Sequence, residues 1–225
     1  MPTVETVGKQ QAAVAVWPME ALENRMVLYG ISWDQYEALQ NVFEGRHIRL
    51  TYDKGVLEIM TTGPIHEGGK NILGRLLEVL SLELDIPVAG YGEMTWKRKK
   101  MERGLESDEC YFIKNEPRTR DPKKIHPDHG LVPDLAIEVE ISNRLGIRRG
   151  IYAALGVPEL WCFDGEKLVF LHLTAAGEYE KRERSASFPF LKSADLERFL
   201  LLHPQKSQHE VVKEFQSWVR QHRKA

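Results

Sequence analysis

The stretch Pro133-Asp134-Leu135-Ala136-Ile137-Glu138-Val139-Glu140-Ile141 constrains the fold more than any other part of the chain. Read as a strand, its side chains alternate between two faces. Leu135, Ile137, Val139 and Ile141 form one face, and Asp134, Ala136, Glu138 and Glu140 the other. The apolar row predicts a strand packed on a core. If the second face is also covered, each carboxylate loses its water at a large cost unless a positive or donor group meets it. The rest of the chain has to supply those partners.

With 225 residues, the chain has room for one domain with extensions or for two small ones. No apolar run approaches the ~20 residues of a spanning helix, so no membrane partner is expected. No basic segment followed by an apolar core opens the chain, so no signal peptide is expected either. The net charge of −2 gives no global pull toward nucleic acid, so any basic surface must be local. The only cysteines, Cys110 and Cys162, sit in apparent strands among apolar neighbours. Two buried thiols, rather than a disulfide or a metal pair, and a cytoplasmic location follow as expectations.

Residues 1 to about 26 show no period and read as a loose tail, with Val14 to Trp17 tucked onto the body. Ser32 is an N-cap candidate for a short helix carrying Trp33, Tyr36 and Leu39. Ile48 to Tyr52, the turn Asp53-Lys54-Gly55 and Val56 to Ile59 predict a hairpin closed by Gly63-Pro64. A long helix follows from about His66 to Glu83, with Ile72, Leu73, Leu76, Leu77 and Leu80 as its stripe and Pro87 as its stop. Met94 to Lys97 reads as a strand running into a basic patch, Lys97 to Lys100 with Arg103. Asp108 to Ile113 is another strand, and Lys114 to Gly130 a long polar loop. After the carboxylate strand come a turn from Ser142 to Gly146 and a helix with Arg148, Ile151, Tyr152 and Leu155. Gly156 and Pro158 stop it. Strands at Leu160 to Phe163, Leu168 to Leu173 and near Tyr179, then helices at Ala194 to Leu202 and Val211 to His222, complete the chain. This order predicts a mixed α/β domain on a largely antiparallel or mixed sheet.

The acids can be sorted by reach. At ~3.3 Å per residue, Glu138 and Glu140 lie roughly 6.6 Å apart on one face, while Asp134 is about 13 Å from Glu138. A cation held by Glu138 therefore takes its second ligand from Glu140 or from another element. Asp108, where the preceding strand opens, is the best placed. The plainer readings are an Asp134 that satisfies nearby backbone N–H groups, a solvated Glu140 and a salt-bridged Glu138. For His66 the plainer reading is a surface residue at a helix start, and for Tyr152 a packing residue.

The order of these pieces resembles the PD-(D/E)XK, or restriction-endonuclease-like, superfamily, and within it the Uma-two branch of endonucleases. The resemblance rests on His66 at a helix start, Ser107-Asp108-Glu109 at a strand opening, and the carboxylate strand followed by Ser142. It also rests on Arg148 four places before Tyr152, the run Ala153 to Trp161, the Asp164 turn and the hairpin Tyr52 to Glu58. It implies a restriction-endonuclease-like α/β (α+β) core, a mixed central sheet flanked by helices with an N-terminal hairpin and a C-terminal helical extension. The implied division is a tail at 1–26, a nuclease-like domain at 27–188 and the extension at 189–225. The implied activity is hydrolysis of DNA phosphodiester bonds with Mg2+ (or Mn2+) held by Asp108 and Glu138. Arg148, Glu140 and His66 join them as catalytic candidates. The superfamily's lysine, two residues after the Glu, is here Glu140, and the position to which the Uma-two branch moves it is here Arg148. Arginine fits phosphate but is a poor proton-transfer group. A nuclease fold that binds nucleic acid or a protein without cutting is therefore the alternative, and a metal-independent hydrolase using paired carboxylates a second one. The basic patch, with Arg144, Arg148 and Arg149, would track a phosphate backbone. The apolar face of the last helix would serve a homodimer interface as readily as the core. All three side chains, Asp108, Glu138 and Arg148, are expected in one solvent-reachable cleft.

Overall fold

The strands Arg103–Glu106 (β6) and Glu109–Phe112 (β7) are separated only by Ser107 and Asp108, yet they belong to different sheets. A computed structural model of the chain describes residues 24–140, 146–203 and 205–223. The five-stranded sheet is antiparallel throughout, in the order β1-β3-β2-β6-β5. Its remaining strands are Asn24–Tyr29 (β1), Ile48–Asp53 (β2), Val56–Thr61 (β3) and Thr95–Arg98 (β5). The central sheet runs β11-β10-β9-β8-β7-β4. Its other members are Ala89–Gly90 (β4), Leu135–Val139 (β8), Glu159–Phe163 (β9), Leu168–Leu173 (β10) and Tyr179–Arg182 (β11). Among the described residues only β8 and β9 pair parallel, and α3 (Gly146–Leu155) lies between them in the chain. The expected mixed α+β architecture is thus present. The hairpin β2–β3, however, is the middle of a second sheet rather than an appendage.

Every residue of β8 is buried, so both of its faces are covered. Leu135, Ile137 and Val139 pack with Ile72, Leu73 and Leu76 of α2 (Pro64–Leu84). Phe199 of α4 (Ser193–Leu200) and Phe215 of α5 (Gln208–His222) share that core. Ala136 faces the other way, with Ile151 and Tyr152 of α3. Each such aliphatic side chain contributes ~1.5–3 kcal/mol by leaving water. Val211, Phe215 and Val219 of α5 are buried within this same chain, and Glu83 of α2 accepts hydrogen bonds from Gln216 and Arg220.

Local rules account for the element ends. Ser32 caps α1 (Trp33–Phe43) through the Gln35 amide, and Gln35 reciprocates. Lys54 (φ 47°) and Gly55 (φ 90°) make the left-handed two-residue turn between β2 and β3. Pro64 opens α2 instead of closing the hairpin, because its fixed φ suits the first helical position. The same helix stops at Asp85 in the left-handed region, two residues before Pro87. Gly104 lets α1 settle on the second sheet, since a Cβ there would lie 2.4 Å from the Tyr36 hydroxyl. Strands β1 and β6 escape sequence reading. β1 is an edge strand with exposed Met26 and Tyr29 and no alternation, so the expected tail of 1–26 in fact ends in structure from Asn24. Val14 to Trp17, Ile141, Ser142 and Arg144 lie outside the described residues.

Candidate active site

Strand β7 pairs β8 antiparallel with Glu109 opposite Ile137, so one step further sets Asp108 opposite Glu138. Asp108 sits where the chain changes sheets, with no exposed surface. The Val139 N–H donates to its Oδ2 at 2.6 Å. His66 Nε2, from the first turn of α2, lies 2.9 Å from the same oxygen. Arg49 Nη1, from β2, pairs with Oδ1.

Glu138 receives a two-pronged grip from α3. Arg148 donates through Nε to Oε2 and through Nη2 to Oε1, both at 2.8 Å. The Tyr152 hydroxyl donates to Oε1 as well. Arg148, Ile151, Tyr152 and Leu155 are the buried face of α3, at helical spacing. Arg148 also donates to Thr51 Oγ1 (2.8 Å) and to the Glu106 carbonyl (2.6 Å). Burial alone would weaken its charge, but Glu138, Tyr152 and Glu140 hold its pKa above the ordinary arginine value. Burial and the negative Glu138 push the Tyr152 hydroxyl well above its usual range, so it stays a donor. Arg49 and Thr51 point the same way from β2, one to Asp108 and the other to the cation that holds Glu138.

The other two acids of the row have partners of different kinds. Asp134 accepts from the Ile113 and Asn115 amides, both at 2.8 Å, and from the Asn115 side chain at 2.6 Å. It is a backbone clamp on the chain leaving β7. Glu140 is not solvated: it is 2% exposed and meets Arg25 Nη2 of β1 at 2.8 Å. Arg25 reaches Glu58 as well, at 3.1 Å.

Around Asp108 the ion pairs close a ring. Arg49 Nη2 meets Glu93 at 2.7 Å, Glu93 meets Lys70 at 2.6 Å, and Lys70 meets Glu67 at 2.6 Å. Glu67 lies 3.3 Å from His66 Nδ1, and His66 returns to Asp108. His66 is thus wholly buried, not a surface residue. Each of its ring nitrogens faces a carboxylate oxygen.

Asp108, Glu138 and Arg148 therefore come together, but they are 0%, 2% and 2% exposed. The expected solvent-reachable cleft is a sealed cluster, because arginines from β2 and α3 fill the space beside the carboxylates. Among the described residues, no group of three or more His, Cys, Asp or Glu side chains is placed to hold a metal ion. Arg49 and Arg25 were missed by sequence reasoning. Arg49 alternates with apolar residues as any hairpin surface residue does, and Arg25 lies in a segment with no period. The basic patch is largely neutralised pair by pair: Lys97 with Glu37, Arg98 with Asp128, Lys99 with Asp34 and Arg103 with Asp53. Cys110 and Cys162 are free and buried, and burial raises both thiol pKa values.

The family model of Uma2, described as "Putative restriction endonuclease", matches residues 33–203. The chain belongs to the Uma2 family. The Uma2 match spans Arg49, His66, Asp108, Glu138, Glu140 and Arg148, and leaves Arg25 and α5 outside it. A search of curated proteins finds no match to the chain. Among the described residues, no helix of this Uma2 protein is long and apolar enough to cross a membrane.

Proposed function

We propose that this Uma2 protein hydrolyses phosphodiester bonds of DNA with the help of a divalent cation, Mg2+ or Mn2+, held by Asp108 and Glu138. The supporting observation is that Asp108, hydrogen-bonded to the Val139 amide, and Glu138 flank one peptide unit across two neighbouring strands. Two carboxylates suffice for a hard cation that keeps most of its waters. The fit to such an ion turns on the ion pairs these residues already make: Asp108, Glu138, Glu140, Glu58, Glu67 and Glu93 share Arg25, Arg49, Lys70, Arg148 and His66 as partners. Space opposes it: Arg49 and Arg148 must give up part of their present bonds before a cation fits.

Asp108 and Glu138 would hold such an ion, and its chemistry would be to polarise a phosphoryl oxygen and lower the pKa of a water. The chain's own groups do the rest. Arg148 stays charged at any working pH, so it neutralises phosphate charge and transfers no proton. Tyr152 holds the orientation of Glu138, and His66 that of Asp108. The test is cleavage of plasmid and oligonucleotide DNA with Mg2+ or Mn2+, beside chelator and the Asp108→Asn and Glu138→Gln variants. Cleavage that needs both the ion and both acids supports this function. Cleavage in chelator, or by the variants, rejects it.

The second reading, a nuclease fold that binds without cutting, draws on the burial of both carboxylates under arginines. DNA binding with no metal-dependent cleavage favours it.

A further inference from the structure

Helices α4 and α5 and the segment between β11 and α4 line two adjoining cavities of about 640 and 630 Å³, which share Arg198 and Trp218. Together they make a groove, and α5, which supplies one wall, lies beyond the Uma2 match. Basic side chains dominate the lining. Arg184, Lys192, Arg198 and His222 border one cavity, and Arg198, Lys206 and Lys213 the other. Each cavity is lined by a single acid, and both acids are engaged. Asp195 accepts from the Lys192 amide, and Glu214 pairs with Lys206 at 2.6 Å. Lys192 pairs with Glu183, also at 2.6 Å. Among the described residues, Arg184, Arg198 and Lys213 make no ion pair.

Neutral groups hold both of these arginines. Arg184 Nη1 donates to the Pro189 and Phe190 carbonyls at 3.3 and 2.9 Å. The Arg198 guanidinium carbon lies 4.7 Å from the Phe199 ring centre and 6.0 Å from that of Trp218. Carbonyls and ring faces orient a guanidinium without cancelling its charge. Phe190 and His222 stack on Trp218 at 6.1 and 4.6 Å, and His222 is exposed. His203, three residues before Lys206, lies against Gly68, where a Cβ would sit 3.8 Å from its Nε2. One end of the groove is thus set at the end of α2 that carries His66. From there α5 runs alongside α2, from the bond of Arg75 with Gln208 to that of Glu83 with Arg220.

We infer that this groove binds a single-stranded segment of nucleic acid, apart from the sealed carboxylates. Phosphates meet Arg184, Arg198 and Lys213, whose charges are uncompensated. Unpaired bases continue the stack of Phe190, Trp218 and His222, because every base has a ring face and no hydrogen-bond code is needed. A duplex keeps its base faces inside and gains from the charges alone. An acidic peptide also meets the cations but leaves the rings unused. The choice of nucleic acid rests on the nuclease reading together with these rings. The Lys206 end directs a bound strand toward the start of α2, and so toward the ring around Asp108.

The test is fluorescence anisotropy of the full chain with a labelled DNA single strand of about 12 nucleotides, within the usual range of site sizes. Chelator keeps the strand uncut. The variant Arg184→Gln/Arg198→Gln/Lys213→Gln changes three exposed residues. It should weaken binding by about 10-fold or more and lower the slope of log K against log salt by about 2, since each neutralised phosphate of a single strand contributes ~0.7. A duplex of the same sequence should bind about 5-fold more weakly than the single strand. Should the variant fail to fold, hydrogen exchange of the wild type with the strand must show protection at residues 190–198 and 213–222. Unchanged binding by the folded variant, duplex binding as tight as that of the single strand, or protection elsewhere overturns the groove. Displacement of the strand by polyglutamate as readily as by unlabelled strand overturns it too. Binding lost in the variant supports the groove whether or not DNA is cut. Metal-dependent cleavage by a chain whose single-strand binding survives the variant rejects the groove and leaves the nuclease reading standing.

Discussion

Arg148 grips Glu138 with two parallel hydrogen bonds of 2.8 Å, in a place where neither residue is more than 2% exposed. The pair crosses from α3 to the middle of the central sheet, and Thr51 and the Glu106 carbonyl take two more guanidinium hydrogens. The same contact that stabilises the fold therefore occupies the carboxylate on which the proposed chemistry depends.

Removing one partner of this pair leaves a buried, uncompensated charge. Arg148→Met is expected to destabilise the protein by ~3–5 kcal/mol, whereas Arg148→Met with Glu138→Gln should recover most of that loss. Urea unfolding of the single and double variants measures the difference. A single variant as stable as wild type would show that the pair is not held as described.

A cation that binds only the folded chain must stabilise it. At a hundred times its dissociation constant, Mg2+ or Mn2+ should add ~2.7 kcal/mol. A thermal melt with and without the ion checks this, and Glu138→Gln should lose the response. An unchanged melting temperature at high Mg2+ counts against Asp108 and Glu138 as a cation pair.

Asp134 is expected to matter for stability and not for chemistry. Asp134→Ala leaves the Ile113 and Asn115 amides without their acceptor, for a cost of ~2–4 kcal/mol. Any metal-dependent cleavage should survive at a temperature where the variant is folded. Loss of cleavage in a fully folded Asp134→Ala protein would return this acid to the site.

The ring around Asp108 carries an acid-sensitive member. Partial burial raises the Glu67 pKa, but Lys70, Thr62 and Arg49 outweigh it and hold the carboxyl at about 2, below its ordinary 4.5. A depressed carboxyl adds stability above its unfolded pKa and loses it as pH falls toward the folded value. Stability should thus decline from about pH 4.5 down to about 2, by a modest amount because Glu67 is partly exposed to screening water. Glu67→Gln should flatten that part of a pH-stability curve, and an identical curve would mean the ring contributes nothing there.

Much of the fold is legible in the chain because it follows from local pattern. Alternation fixes β8, the leucine stripe fixes α2, and Ser32 with Gln35 starts α1, each a matter of neighbouring residues and backbone geometry. The row of carboxylates even states a demand, that something must compensate Asp134, Glu138 and Glu140. It does not say what answers. Three unlike solutions appear: backbone amides for Asp134, Arg148 of the next helix for Glu138, and Arg25 of an unpatterned edge strand for Glu140. Arg49 on Asp108 is of the same kind, since strand alternation shows only that it faces away from Leu50. Local periodicity tells which face a side chain takes. Which distant charge meets it there, and whether water is shut out, depends on how two sheets and α3 close on one another, and only the tertiary structure decides that.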